Sequence, residues 1–155
     1  MYSDKEINNL IICPKMITKP PKKYLELKYG HLRNSFELSS ETKKFYCYIR
    51  VCNDFQEDFS IGLIYQPNDA EKLTLVRYNG LHGEHTNPDK TKINTCHIHK
   101  ASSKCIEENL KPEKYAYTVT NYATYLECLK IFCNDINIQD NINDYFKFHT
   151  QLSLL

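Results

Sequence analysis

Between residues 24 and 78, five runs of alternating apolar and polar side chains follow one another with gaps too short for a helix. They are Tyr24 to Tyr29, Leu32 to Leu38, Phe45 to Cys52, Phe59 to Gln66 and Leu73 to Tyr78. A period of two sends successive side chains to opposite faces of a strand. A parallel neighbour needs a crossover of roughly a dozen residues or more, and none of these gaps holds one. The runs must therefore pair mainly as antiparallel neighbours. Gly30 with His31, and Pro67-Asn68-Asp69, supply turn chemistry at two of the joints.

Helices are expected at the two ends. Ser3 followed by Glu6 fits a capping box, so residues 4–12 form a short helix with Ile7, Leu10 and Ile11 inward. Pro14 ends it, and the linker to Pro20-Pro21 is extended. Residues 79–95 form a long loop, and Cys96 to Lys100 a sixth short strand. Ser102 or Ser103 caps a short helix reaching Leu110, and residues 122–134 place apolar groups at helical spacing. The tail from Asn141 reads as a last helix carrying Ile142, Tyr145, Phe146 and Phe148. The expectation is a single α+β domain over 1–155: helix 4–12, a curved, mainly antiparallel sheet of five to six strands over 23–100, and a helical part over 102–155.

Charge and cysteine content narrow the function classes. A net charge of +1 gives no global basic footprint for sequence-independent nucleic-acid binding. Residues 15–33 are locally basic, with Lys15, Lys19, Lys22, Lys23, Lys28 and Arg33 against Glu26, and read as a solvated lysine-rich stretch. Seven cysteines without tight pairing do not make a disulfide framework. No apolar run reaches a membrane span of roughly 20 residues, and the N-terminus does not read as a secretory signal. These features point to a cytoplasmic protein with reduced thiols, no membrane partner and no cofactor. Its oligomeric state is not legible.

Four of the six histidines, His82, His85, His97 and His99, fall within eighteen residues, close to Arg77 and Asn79. His97 and His99 are two apart on a strand, so both leave the same face, with Ile98 opposite. Arg77 ends the preceding strand, which should pair with this one. Three readings follow. Two imidazoles can act as acid and base while Arg77 stabilises a phosphoryl group, with RNA supplying its own 2′-hydroxyl nucleophile. His82, His85, His97 and His99 can instead hold a zinc, nickel or iron ion. Or the histidines simply tie the loop to the sheet. His31, Arg33 and Asn34 form a second polar cluster from which Arg33 can reach the same face. Tyr46 and Tyr48 share a face, Glu107-Glu108 decorates a helix, and His149 has nothing near it. No phosphate-cradling glycine loop, G-x-S-x-G or C-x-x-C is present.

The order of these motifs resembles a family of small, uncharacterised bacterial and phage-borne proteins. The matching pieces are Leu10 to Lys15, Leu75-Val76-Arg77-Tyr78-Asn79, His85-Thr86-Asn87-Pro88-Asp89, Cys96-His97-Ile98-His99 and the helix from Tyr122. More distantly, the chain is similar to TumE-type toxins of bacterial toxin–antitoxin modules. Cys96 stands where the first family has proline, and Asn79 where the toxins have aspartate. The resemblance implicates Arg77, Asn79, His85, His97 and His99 and implies a toxin-like domain of a mobile or phage-associated locus; the shared face of two histidines near an arginine adds the expectation that it cleaves RNA without a metal. His97, His99 and Arg77 would be catalytic, and His85 and Asn79, with Arg33 and His31 from the second cluster, would contact substrate. Candidate partners are RNA and a protein, either an antitoxin or a host defence protein. A non-catalytic interaction protein is the alternative.

Overall fold

The computed structural model describes residues 1–147, so Phe148 and His149 lie outside the described residues. Helix α1 (Asp4–Ile12) forms where its capping signal predicts. Ser3 Oγ accepts from the Glu6 N–H, and Ile7, Leu10 and Ile11 are buried. The chain then runs through β1 (Met16–Lys19), β2 (Glu26–Lys28), β3 (His31–Ser40), β4 (Lys43–Cys52), β5 (Phe59–Gln66) and β6 (Leu73–Asn79). The long loop carries a two-stranded ribbon, β7 (His85–Thr86) with β8 (Lys92–Ile93). After it come β9 (His97–Lys100), α2 (Ser103–Glu107), β10 (Ala116–Thr118), α3 (Tyr125–Asp135) and a 3-10 turn at Ile142–Asp144.

The main sheet has eight strands in the order β1-β3-β4-β5-β6-β9-β10, with β2 also on β3. The named strands all pair antiparallel, as the short gaps require. Eight exceeds the expected five to six because β1 and β10 carry no alternation signal. Both are short and mostly exposed, and β1 lies between prolines that read as a linker. The turn between β2 and β3 is Tyr29-Gly30, both at positive φ (52° and 78°), and His31 already belongs to β3. Positive φ at both central residues gives the primed turn whose twist matches antiparallel strands.

One face of the sheet is apolar. Cross-strand rows such as Ile49–Ile61–Tyr78–Ile98 and Phe36–Cys47–Leu63–Val76 are buried there. Helix α3 packs on β5 and α1 near β6. Helix α3 starts at a full capping box, Thr124 with Glu127, three residues after the start that periodicity suggests. Tyr122 is consequently left outside the helix, buried beneath the sheet.

Lys15 overturns its expected place in a solvated lysine-rich stretch. It is fully buried, and its Nζ donates to the carbonyls of Ile11 (2.7 Å), Cys13 (2.9 Å) and Ile136 (2.9 Å). These carbonyls close the C-terminal ends of α1 and α3, where the negative end of each helix dipole favours a cation. Burial still lowers the Lys15 pKa from its ordinary value. The lysine thus joins two helices that are distant in sequence.

Candidate functional site

The opposite face of the sheet is polar, and strand register assembles a site on it. One cross-strand row runs Arg33–Arg50–Ser60–Asn79–His97, and the next runs Ser35–Tyr48–Gly62–Arg77–His99. The pairing of Arg77 with His99, and the shared face of the two histidines, agree with the alternation. A cavity of about 460 Å³ opens over these rows. Its wall includes Arg33, Arg50, Arg77, His85, His97 and His99, together with Asn79, His82, Lys111 and Lys114. His31 is not in that wall; its Nδ1 instead meets the Tyr29 carbonyl at the hairpin tip.

Scaffold contacts set the tautomer of each central imidazole. His97 Nδ1 lies 2.7 Å from the Thr95 carbonyl and His99 Nδ1 lies 2.9 Å from the Glu113 carbonyl. A carbonyl only accepts, so both Nδ1 atoms carry the proton and both Nε2 atoms keep a lone pair. His97 Nε2 is 3.3 Å from the Asn79 amide nitrogen, and the Ser60 hydroxyl donates to Asn79 Oδ1 at 2.8 Å. His85 is held the other way round. Its Nε2 is 2.8 Å from Asn87 Oδ1, an oxygen that already accepts from the Ala116 N–H, so Nε2 is the donor and Nδ1 is free.

Asn87 also donates to the Ala116 carbonyl at 2.8 Å. Its amide therefore pairs with an edge residue of β10 as a strand would, which pins the β7–β8 ribbon over the sheet. Asp89 in the same turn accepts from the Tyr115 hydroxyl, and that bond holds its carboxyl down at about 2. From the core side, the Tyr122 hydroxyl lies 2.9 Å from the Asn79 carbonyl and 3.2 Å from that of His97. The three central rings lie close together: His85–His99 centroids are 4.5 Å apart, His97–His99 5.1 Å and His85–His97 5.9 Å.

Arg77 is the unbalanced group. Its Nε is buried without a hydrogen-bond partner among the described residues. Burial first, and the Arg77 charge second, lower the His99 pKa to about 3. Burial likewise lowers that of His97. Both rings are therefore neutral at neutral pH. Among the described residues no group of three or more His, Cys, Asp or Glu side chains is placed to hold a metal ion. His82, also in the cavity wall, has its Nδ1 engaged by the Asp58 carboxylate. The four-histidine metal reading gains no support from this arrangement.

A pH dependence of stability follows. His99 titrates near its ordinary value when unfolded and at about 3 when folded. Between those values the unfolded chain binds the extra proton, so stability is complete above about pH 6.5 and declines as pH falls toward 3. At pH 5 the loss from His99 should be on the order of 2 kcal/mol. His97 adds in the same direction. Urea denaturation at pH 7.5 and 5.0 tests this: His99→Gln should shrink the difference between the two midpoints, and an unchanged difference would contradict it.

Sequence reasoning missed Tyr48, Arg50, Ser60, Lys111 and Lys114 as cavity residues. Arg50 and Tyr48 alternate with core residues on β4, a visible signal; the two lysines lie in a connection that gives none. Among the described residues no helix is long and apolar enough to cross a membrane. No curated protein and no solved structure matches the chain. A family model does match residues 2–148, and the chain belongs to that family, the DUF6978 family of unknown function.

Proposed function

We propose that this protein is a toxin-like, cytoplasmic domain of a mobile or phage-associated locus that cleaves RNA without a metal. The observation that carries the reading is Arg77, whose buried Nε has no hydrogen-bond partner among the described residues, in the wall of a cavity shared with His97 and His99. A buried cationic donor without an acceptor is costly, and an incoming phosphate oxygen removes that cost.

In the cleavage step one imidazole Nε2 takes the 2′-hydroxyl proton as the 2′-oxygen bonds to phosphorus. The bond from phosphorus to the 5′-oxygen breaks, and the second imidazole delivers a proton to that oxygen. The products are a 2′,3′-cyclic phosphate and a 5′-hydroxyl. Arg77 stabilises the charge that builds on the phosphoryl oxygens. Both rings are neutral in the free protein, so the acid must gain its proton when the phosphate arrives. The substrate's negative charge offsets the burial and the Arg77 repulsion that otherwise exclude it. His85 closes the cavity from the ribbon and positions substrate.

A non-catalytic interaction protein, a phage-encoded inhibitor or toxin–antitoxin partner, is the second reading. One observation favours it: His97 and His99 are only 1% and 3% exposed, and each binds a backbone carbonyl as a structural histidine does. Expression in cells of the wild type, His97→Ala and His99→Ala separates the two. The wild type should slow growth and fragment RNA while both variants do neither. Equal growth and intact RNA in all three would leave only the interaction reading.

A further inference from the structure

A second cavity, of about 480 Å³, lies on the same polar face beside the first. The two share Arg33, Tyr48 and Arg50. Together they form one path across the sheet, from the histidines on β9 to the lysines before β3, Lys19 and Lys22. The shared residues sit where the cavities meet.

Arg33 and Arg50 are directly opposite each other across β3 and β4. Like charges in that position repel and weaken the pair. Among the described residues neither they nor Arg77 join an ion pair; those present are Lys19–Glu37, Lys22–Glu26, His82–Asp58 and Lys92–Glu84. Both side chains are half-exposed, and Arg33 Nε donates to the Lys28 carbonyl at 3.4 Å; an anion bound by the pair would relieve the repulsion that remains.

Tyr48 stands between this pair and Arg77. It faces Gly62 across β4 and β5, and Gly62 in turn faces Arg77. The Tyr48 ring covers the glycine: a Cβ at residue 62 would meet its Cε1 at 2.3 Å and its Cζ at 2.5 Å. Any larger residue at 62 would therefore lift the ring off the sheet. Among the described residues the Tyr48 hydroxyl makes no hydrogen bond, so a core polar contact does not account for the placement. Tyr46, two residues along the strand, is 37% exposed and lines the second cavity.

Alternating cations and aromatic rings along an open groove are how proteins hold single-stranded nucleic acid, with charges following the backbone and rings stacking on bases. We propose that the substrate is a single strand. One nucleobase stacks on Tyr48, and the Arg33–Arg50 pair holds the phosphate adjoining the one at Arg77. This rests on the RNA reading above and adds its substrate class. A duplex offers Tyr48 no open base face, because its bases are already stacked and paired.

Binding of a short fluorescein-labelled 2′-O-methyl oligouridylate to the full chain, by anisotropy, tests this apart from cleavage, since the blocked sugar carries no nucleophile. The same strand annealed to its complement and inorganic polyphosphate are the comparisons. Tyr48→Ala should weaken single-strand binding about tenfold or more, Tyr48→Phe should keep it, and polyphosphate binding should be equal in all three proteins. Gly62→Val should act as Tyr48→Ala does, with thermal melting to confirm that each variant is folded. Duplex binding as tight as single-strand binding, or no effect of Tyr48→Ala, would overturn the stacking subsite. If Arg77→Met then still weakens polyphosphate binding, the anion site at Arg77 survives that failure. Binding of none of the probes by the wild type would end both readings.

Discussion

Replacing Arg77 by methionine should lower cleavage of single-stranded RNA about 10²- to 10³-fold, the usual loss when a preorganised donor to a developing oxyanion is removed. Arg77→Lys should not restore it. The group left unpartnered is Nε, one of several donors in a rigid planar fork, and an ammonium cannot reproduce that geometry. A second readout is independent of any RNA. Arg77 is the second-largest cause, after burial, of the low His99 pKa. Its removal should move the His99 titration upward while burial keeps it below the ordinary histidine value. A proton NMR titration of the His99 ring records that shift. Undiminished cleavage by Arg77→Met would refute the catalytic assignment. An unmoved His99 would show that the guanidinium does not face the ring.

Lys15→Met should strongly destabilise the fold although it lies away from the cavity. Methionine keeps the apolar stem and fills most of the volume, so little of the effect is a void. What disappears is the donor shared by the carbonyls of Ile11, Cys13 and Ile136. Replacing both partners of a buried polar contact by apolar groups can be neutral, but backbone carbonyls cannot be replaced. Leaving a buried acceptor unsatisfied costs about 1 to 3 kcal/mol, and three carbonyls lose their donor here. That is a large part of the roughly 5 to 15 kcal/mol that holds a domain together. Thermal melting should show a fall in Tm of roughly 10 °C. A fall of only a degree or two would mean that the desolvation of the ammonium nearly cancels its three bonds.

Lys15 also shows where local reading fails. In sequence it is one of six cations in a basic stretch, and nothing nearby distinguishes it. Its partners include a carbonyl 121 residues away, supplied only when α3 docks. His31 shows a different limit. It shares the face of Arg33, two residues along β3, but it begins the strand beside the hairpin tip, where its Nδ1 meets the Tyr29 carbonyl outside the cavity wall. The missed strands β1 and β10 lie on the sheet's margins, where exposed side chains need no alternation.

Local periodicity was sufficient for the antiparallel α+β class, for the bounds of β5, for the buried face of α1 and for the shared side of His97 and His99. Each depends on the geometry of one element, which neighbouring residues dictate. The cavity was decided by tertiary register. Arg33, Arg50, Arg77 and His99 lie on four different strands, and only hydrogen bonding between strands brings them onto adjacent rows. The His99 tautomer was decided the same way, because its acceptor, the Glu113 carbonyl, comes from the approach to β10, whereas His97 and His85 meet acceptors two residues away in sequence. Charge state followed from burial, a property of the packed chain that no single segment carries.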